Sequence, residues 1–151
     1  MVVKTLAAMM LAGALIAGER AFQADTSTEH LQARAAAFYS TLQAGRFEQT
    51  WAFFNAAFRR DNPIEGYASS LRAAQKAIER SGPLKVSVEK AGDRPIGRVV
   101  AAVKITGIDG GLVQAEHVTV WGWGRVSRET EADWYITREE MRRPGAPING
   151  R

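Results

Sequence analysis

The apolar side chains of this sequence follow two different rhythms, and the change falls near Pro83. Before it, apolar residues return every third or fourth position, which places them along one side of a helix; after it they alternate, which places them on one face of a strand. Thr26-Ser27-Thr28-Glu29 has the spacing of a capping box, in which a hydroxyl and a carboxylate satisfy each other's free amides. Leu31, Ala35, Phe38 and Leu42 continue as one helical stripe, and Gly45 supplies a left-handed stop. Phe47, Trp51, Phe54 and Phe58 mark one face of a second helix, which ends by Asp61 because Asn62-Pro63 reads as a cap followed by proline at the first helical position. A third helix carries Ile64, Tyr67, Leu71, Ala74 and Ile78 and is ended by Ser81-Gly82-Pro83.

Four strands are predicted beyond that point. Leu84, Val86 and Val88 alternate with polar residues; Val99, Ala101, Val103 and Ile105 form the apolar side of a second strand. Asp109-Gly110-Gly111 is a hairpin turn signal leading into a long strand from Leu112 to Val126. The last strand, Ala132 to Arg138, contains Trp134-Tyr135-Ile136. Helices followed by successive strands predict an α+β domain: three N-terminal helices packed on one face of a curved antiparallel four-stranded sheet. The other face is left for solvent or a partner.

Composition refines this picture in three places. With 151 residues the chain suits one domain, and 46% hydrophobic against 24% charged residues is ordinary globular chemistry. The absence of cysteine excludes disulfides, thiolate metal sites and a cysteine nucleophile. A net charge of +4 is spread among interleaved acids and bases, a pattern of a solvated surface and not of a nucleic-acid binder.

The N-terminus reads as a targeting segment. Lys4 precedes the uncharged run Thr5 to Gly18, whose 14 residues would make a helix of about 21 Å, too short for a hydrocarbon core of about 30 Å. Residues 1–24 are therefore expected to be a signal peptide or a short N-terminal anchor, residues 25–143 the domain, and residues 144–151 a flexible tail. Export to the periplasm or the medium of a bacterium follows, with membrane contact only through an uncleaved leader.

The order of elements, together with Phe38-Tyr39, Leu42-Gln43-Ala44-Gly45-Arg46-Phe47, Trp51, Phe58-Arg59 and the closing Trp134-Tyr135-Ile136, resembles the nuclear transport factor 2-like superfamily over residues 28 to 140. Within it the chain is similar to small exported bacterial domains of unknown function. The resemblance implies a sheet wrapped around the helices, a pocket at the open end of the cone, and homodimer formation through the outer sheet face. Relatives use the pocket for isomerase or dehydratase chemistry, for ligand binding, or for neither. The paired histidine and aspartate of the dehydratases are not recognisable here.

Candidate chemistry centres on the long strand. His117, Thr119, Trp121, Trp123 and Arg125 share one face, with Trp121 and Trp123 about 7 Å apart; Val118, Val120, Gly122, Gly124 and Val126 share the other. Either the tryptophans form an outer aromatic patch, or they and His117 line the concave pocket, and a bulge near Gly122 would mix the two. The lining expected for the pocket is Tyr39, Trp51, His117, Trp121, Trp123 and Trp134. His30 and His117 lie far apart without metal-ligand spacing, so neither a metal nor any cofactor is implied. Asp61, Glu65, Glu116 and Asp133 are the candidate acids, and none forms a persuasive catalytic pair with His117. The leading expectation is a non-catalytic domain binding a small apolar ligand or a protein partner. The alternatives are a small lyase or isomerase with His117 as base and Tyr39 as hydroxyl donor, and a tethered envelope assembly component.

Overall fold

A computed structural model describes residues 25–74 and 79–146. The leader expected over residues 1–24, Ile78 of the third predicted helix and residues 147–151 of the tail lie outside the described residues. The domain is α+β, with four helices and a five-stranded antiparallel sheet among the described residues.

Helix α1 spans Thr28–Gln43. Its cap is Ser27, whose hydroxyl accepts the His30 amide at 3.1 Å, so the cap lies one residue past the expected Thr26 and the Thr26–Glu29 box does not form; the Ser27 amide donates to Asp25 instead. Glu29 remains in the first turn, where a carboxylate is favoured by the helix dipole. At the other end Gly45 adopts φ 71°, and the Arg46 amide bonds back to the Thr41 carbonyl. A left-handed residue lets the chain reverse while closing the last carbonyls, as the sequence predicts.

The second predicted helix is two helices. α2 runs Phe47–Trp51 and α3 Ala56–Asp61, separated by Phe53 and Phe54. Asn55 caps α3 by accepting the Phe58 amide at 2.9 Å. The intervening backbone bonds to the edge of the sheet: Ile136 N–H donates to the Phe53 carbonyl at 2.8 Å, and Asn55 N–H to the Ile136 carbonyl at 3.0 Å. An exposed strand edge gains partners this way, and the cap stabilises the restart, so one aromatic-faced rod gives way to a kinked pair. α4 then covers Ile64–Ala74.

The third predicted helix does not reach the expected stop at Ser81-Gly82-Pro83, because the chain is already extended at β1, Glu79–Arg80. β2 (Lys85–Ala91) follows on the same edge of β3 (Arg94–Thr106), with Glu79 opposite Lys104 and Lys85 opposite Val100. Between them, Gly82 turns through φ 75° and Pro83 has no amide to give the ladder. β2 matches the predicted edge strand, and β1, which falls where the sequence predicts the third helix to continue, is the addition that makes five strands in place of four. β4 (Leu112–Gly124) and β5 (Asp133–Arg142) complete the order, with β3 and β4 central.

The helices cover one face of this sheet. Val99, Ala101 and Val103 of β3, Ala115 and Trp121 of β4, and Trp134 and Ile136 of β5 meet Leu31, Ala35, Phe38, Phe53 and Phe54 in a single core. Contact is closest at Gly97, where a Cβ would occupy the place of a Leu31 methyl. Residue by residue, β4 thus presents Ala115, His117, Thr119 and Trp121 inward.

Candidate functional site

The inner face does not alternate cleanly on β5, and that irregularity builds the site. Trp121 pairs with Ile136, but its neighbour Val120 pairs with Arg138, so Thr137 is an extra residue in a bulge. A one-residue insertion reverses which side chains face inward beyond it. Trp134 and Ile136 point into the core on one side of the bulge; Glu139 and Met141, opposite Thr119 and His117, take the inner face on the other. Strict alternation would have put Arg138 there instead.

Glu139 ends a run of side-chain hydrogen bonds across the inner face. Trp121 Nε1–H donates to the Thr119 hydroxyl at 2.8 Å, and the Thr119 hydroxyl lies near the Tyr39 phenol, whose ionised form it favours. Tyr39 Oη lies 2.9 Å from His117 Nδ1, and His117 Nε2 lies 3.1 Å from Glu139 Oε2. A carboxylate only accepts, so Nε2 carries the proton, Nδ1 is left as an acceptor, and the tyrosine O–H donates to it. The two bonds then point the same way, from the Tyr39 phenol through His117 outward to the carboxylate. Burial, the main cause, holds the Tyr39 phenol well above the ordinary tyrosine range, with the nearby Glu139 charge acting in the same direction.

The two ends of this chain differ in access. Trp121 and Tyr39 are buried and His117 nearly so, whereas the Glu139 side chain is 41% exposed. Glu139 and His117 line an open hollow of about 280 Å³, whose apolar wall is Phe38, Leu42, Tyr67, Leu71 and Met141. A second hollow of about 460 Å³ under α3 and α4 shares Tyr67, Leu71 and Glu139 and adds Phe58 and Asp61. The two hollows meet at these shared residues along α4 and make up the cleft, and the second alone is in the size range of small-molecule sites. Tyr67 stands between them and bonds the Thr50 hydroxyl at 3.0 Å; burial pushes its phenol up to about 12.

The residues expected to line a pocket separate into three groups. Tyr39 and His117 are brought together, within direct proton-transfer distance and beside the cleft. Trp121 and Trp134 have no exposed surface and serve as packing in the core, Trp121 edge-on to Phe38 and Trp134 edge-on to Trp123. Trp51 lies apart on the surface of α2, where its indole donates to the Asn62 carbonyl at 2.8 Å and Arg59 sits over its ring. Trp123 borders the core and touches His30.

Three of the four candidate acids are held in ion pairs. Asp133 binds His30 at 2.9 Å and Arg34 at 3.3 Å, Glu116 binds Arg142 at 2.8 Å, and Asp61 binds Arg60 at 3.0 Å. Glu65 lies exposed in the first turn of α4. Glu139 was legible only as one of several charges in Thr137-Arg138-Glu139-Glu140, because nothing in that stretch signals the bulge. No cluster of three or more His, Asp or Glu among the described residues is arranged to hold a metal ion.

Neither a family model nor a curated protein matches this chain.

Proposed function

We propose that the chain is an exported domain of the nuclear transport factor 2-like type. Its cleft binds a small, largely apolar molecule bearing one hydrogen-bond donor or positive charge. The observation that carries this reading is the single carboxylate of Glu139 at the end of an apolar wall, tied from behind by His117. Phe38, Leu42, Leu71 and Met141 remove apolar surface from water, while Glu139 gives the ligand's polar end one place to go. The helices-then-sheet order supports the fold assignment, and the uncharged run from Thr5 to Gly18 supports export.

Hexylamine and hexanoate are suitable probes, with binding read from amide chemical shifts. The amine is expected to move signals of Leu42, Leu71 and Met141, and Glu139→Gln to weaken it at least tenfold. Equal binding of amine and hexanoate, or no loss in Glu139→Gln, would remove the proposal.

A second reading, proton transfer on a carbon acid, is favoured by the fixed Tyr39–His117–Glu139 geometry. Glu139 would accept a proton from the carbon beside a carbonyl, and the resulting enolate would take one back from the protonated Glu139 or solvent. Cyclohexanone in deuterated water tests this directly. Exchange of its α-hydrogens above the buffer rate, lost in Glu139→Gln, is the expected sign; an unchanged rate in that variant refutes it.

A further inference from the structure

The outer face of the sheet holds a hollow unrelated to the cleft. Ile96, Gly122 and Tyr135 form one row across β3, β4 and β5, facing away from the core that Gly97, Trp121 and Trp134 enter. The hollow measures about 370 Å³, and its floor exists because Gly122 and Gly124 have no side chains. A Cβ on Gly124 would meet nothing within 4 Å, so the space above it is open. Pro95, Ile96 and Tyr135 supply apolar and aromatic walls, Trp123 borders the hollow between the two glycines, and Ile96 is 39% exposed.

Charge at this hollow is of one sign. Arg94 and Arg125 line it, and no Asp or Glu does. Four other guanidinium groups are paired with carboxylates, Arg34 with Asp133, Arg60 with Asp61, Arg72 with Glu48 and Arg142 with Glu116, while Arg46, Arg59, Arg80, Arg98, Arg128, Arg138 and Arg143 form no ion pair among the described residues. Arg94 and Arg125 form no ion pair among the described residues. Arg98, next along the same face of β3, keeps a buried Nε without a hydrogen-bond partner among the described residues. Guanidinium groups bind carboxylates through paired N–H donors and stack on flat rings.

We infer that this outer-face hollow is a second binding site, which takes a small aromatic carboxylate. The ring lies on the glycine floor between Ile96 and Tyr135, and the carboxylate is held by Arg94 and Arg125. The geometry fits a free small molecule, since a volume of about 370 Å³ holds one or two rings, with Asn55 and Thr137 completing the lining.

Titration of the full chain with 2-naphthoate, against its neutral counterpart 2-naphthylmethanol, tests the site through backbone amide shifts. Naphthoate is expected to move Gly122, Gly124 and Thr137, and the alcohol to bind at least tenfold more weakly. Gly124→Val, which fills the floor, and the double variant Arg94→Gln/Arg125→Gln should each weaken naphthoate at least tenfold, while Glu139→Gln leaves it unchanged. Equal affinity for the alcohol, or wild-type affinity in the double arginine variant, overturns the inference. So does an aromatic C-terminal peptide that binds tenfold tighter than naphthoate. The arginine variant changes only exposed side chains, so the test survives if Gly124→Val fails to fold.

Discussion

Two ends of the same sheet face behave differently in this protein. At one end Trp121, Trp134 and Ile136 are fully buried under Phe38, Phe53 and Phe54. At the other, only a few residues along the same strands, His117, Glu139 and Met141 border open space beneath α4. Strand alternation places side chains on a face; helix coverage decides whether that face becomes core or cleft. The Thr137 bulge marks the border, where the backbone of Phe53–Asn55 attaches to β5 on the closed side and the Glu139 carboxylate takes the inner face on the open side.

Substitutions should separate the two ends by energy. Trp121→Ala removes a fully buried ring at the closed end and is expected to cost about 3–5 kcal/mol in denaturant unfolding. Gly97→Ala, on the same buried face, forces a Leu31 methyl to move within a filled core, with an expected loss of about 1–3 kcal/mol. A cost near zero there would mean that Leu31 has room to rotate. Tyr39→Phe leaves His117 Nδ1 without its donor, and about 1–3 kcal/mol should be lost. Met141→Ala, exposed at the cleft, should cost less than about 1 kcal/mol. Equal losses for Trp121→Ala and Met141→Ala would erase the distinction between the ends.

The buried phenols add a dependence on pH. Tyr39 and Tyr67 both titrate above an ordinary tyrosine, Tyr67 at about 12, mainly because burial disfavours the phenolate. In that window the folded state holds protons that the unfolded state has lost, so stability is full below about pH 10 and falls as pH rises. Unfolding midpoints measured from pH 8 upward should decline above pH 10, and less steeply in Tyr39→Phe. A flat profile would show that the phenols are not desolvated as described.

Much of the fold was legible because it rests on local signals. Gly45 stops α1, Asp109-Gly110-Gly111 turns the central hairpin, and alternation from Val99 to Ile105 lies within β3. The departures were long-range in origin. Nothing local shows that Phe53 and Phe54 will leave a helix to meet Ile136, or that Glu79 is already strand. Of the site, Tyr39 and His117 were visible as a hydroxyl and a base, but their partner was not. Glu139 faces inward through a bulge set by pairing with β4, which the sequence of β5 alone does not encode. The tryptophans misled in the opposite sense: large aromatic residues on an inward face fill space, and Trp121 and Trp134 leave none for a ligand.

The tautomer of His117 tests the relay most directly. Long-range proton–nitrogen spectra of the imidazole should show Nε2 protonated and Nδ1 bare, with Glu139→Gln shifting the Nε2 signal and Glu140→Gln, on the outer face, leaving it in place. A proton on Nδ1, or an Nε2 signal indifferent to Glu139, would contradict the directed chain from Tyr39 to the cleft.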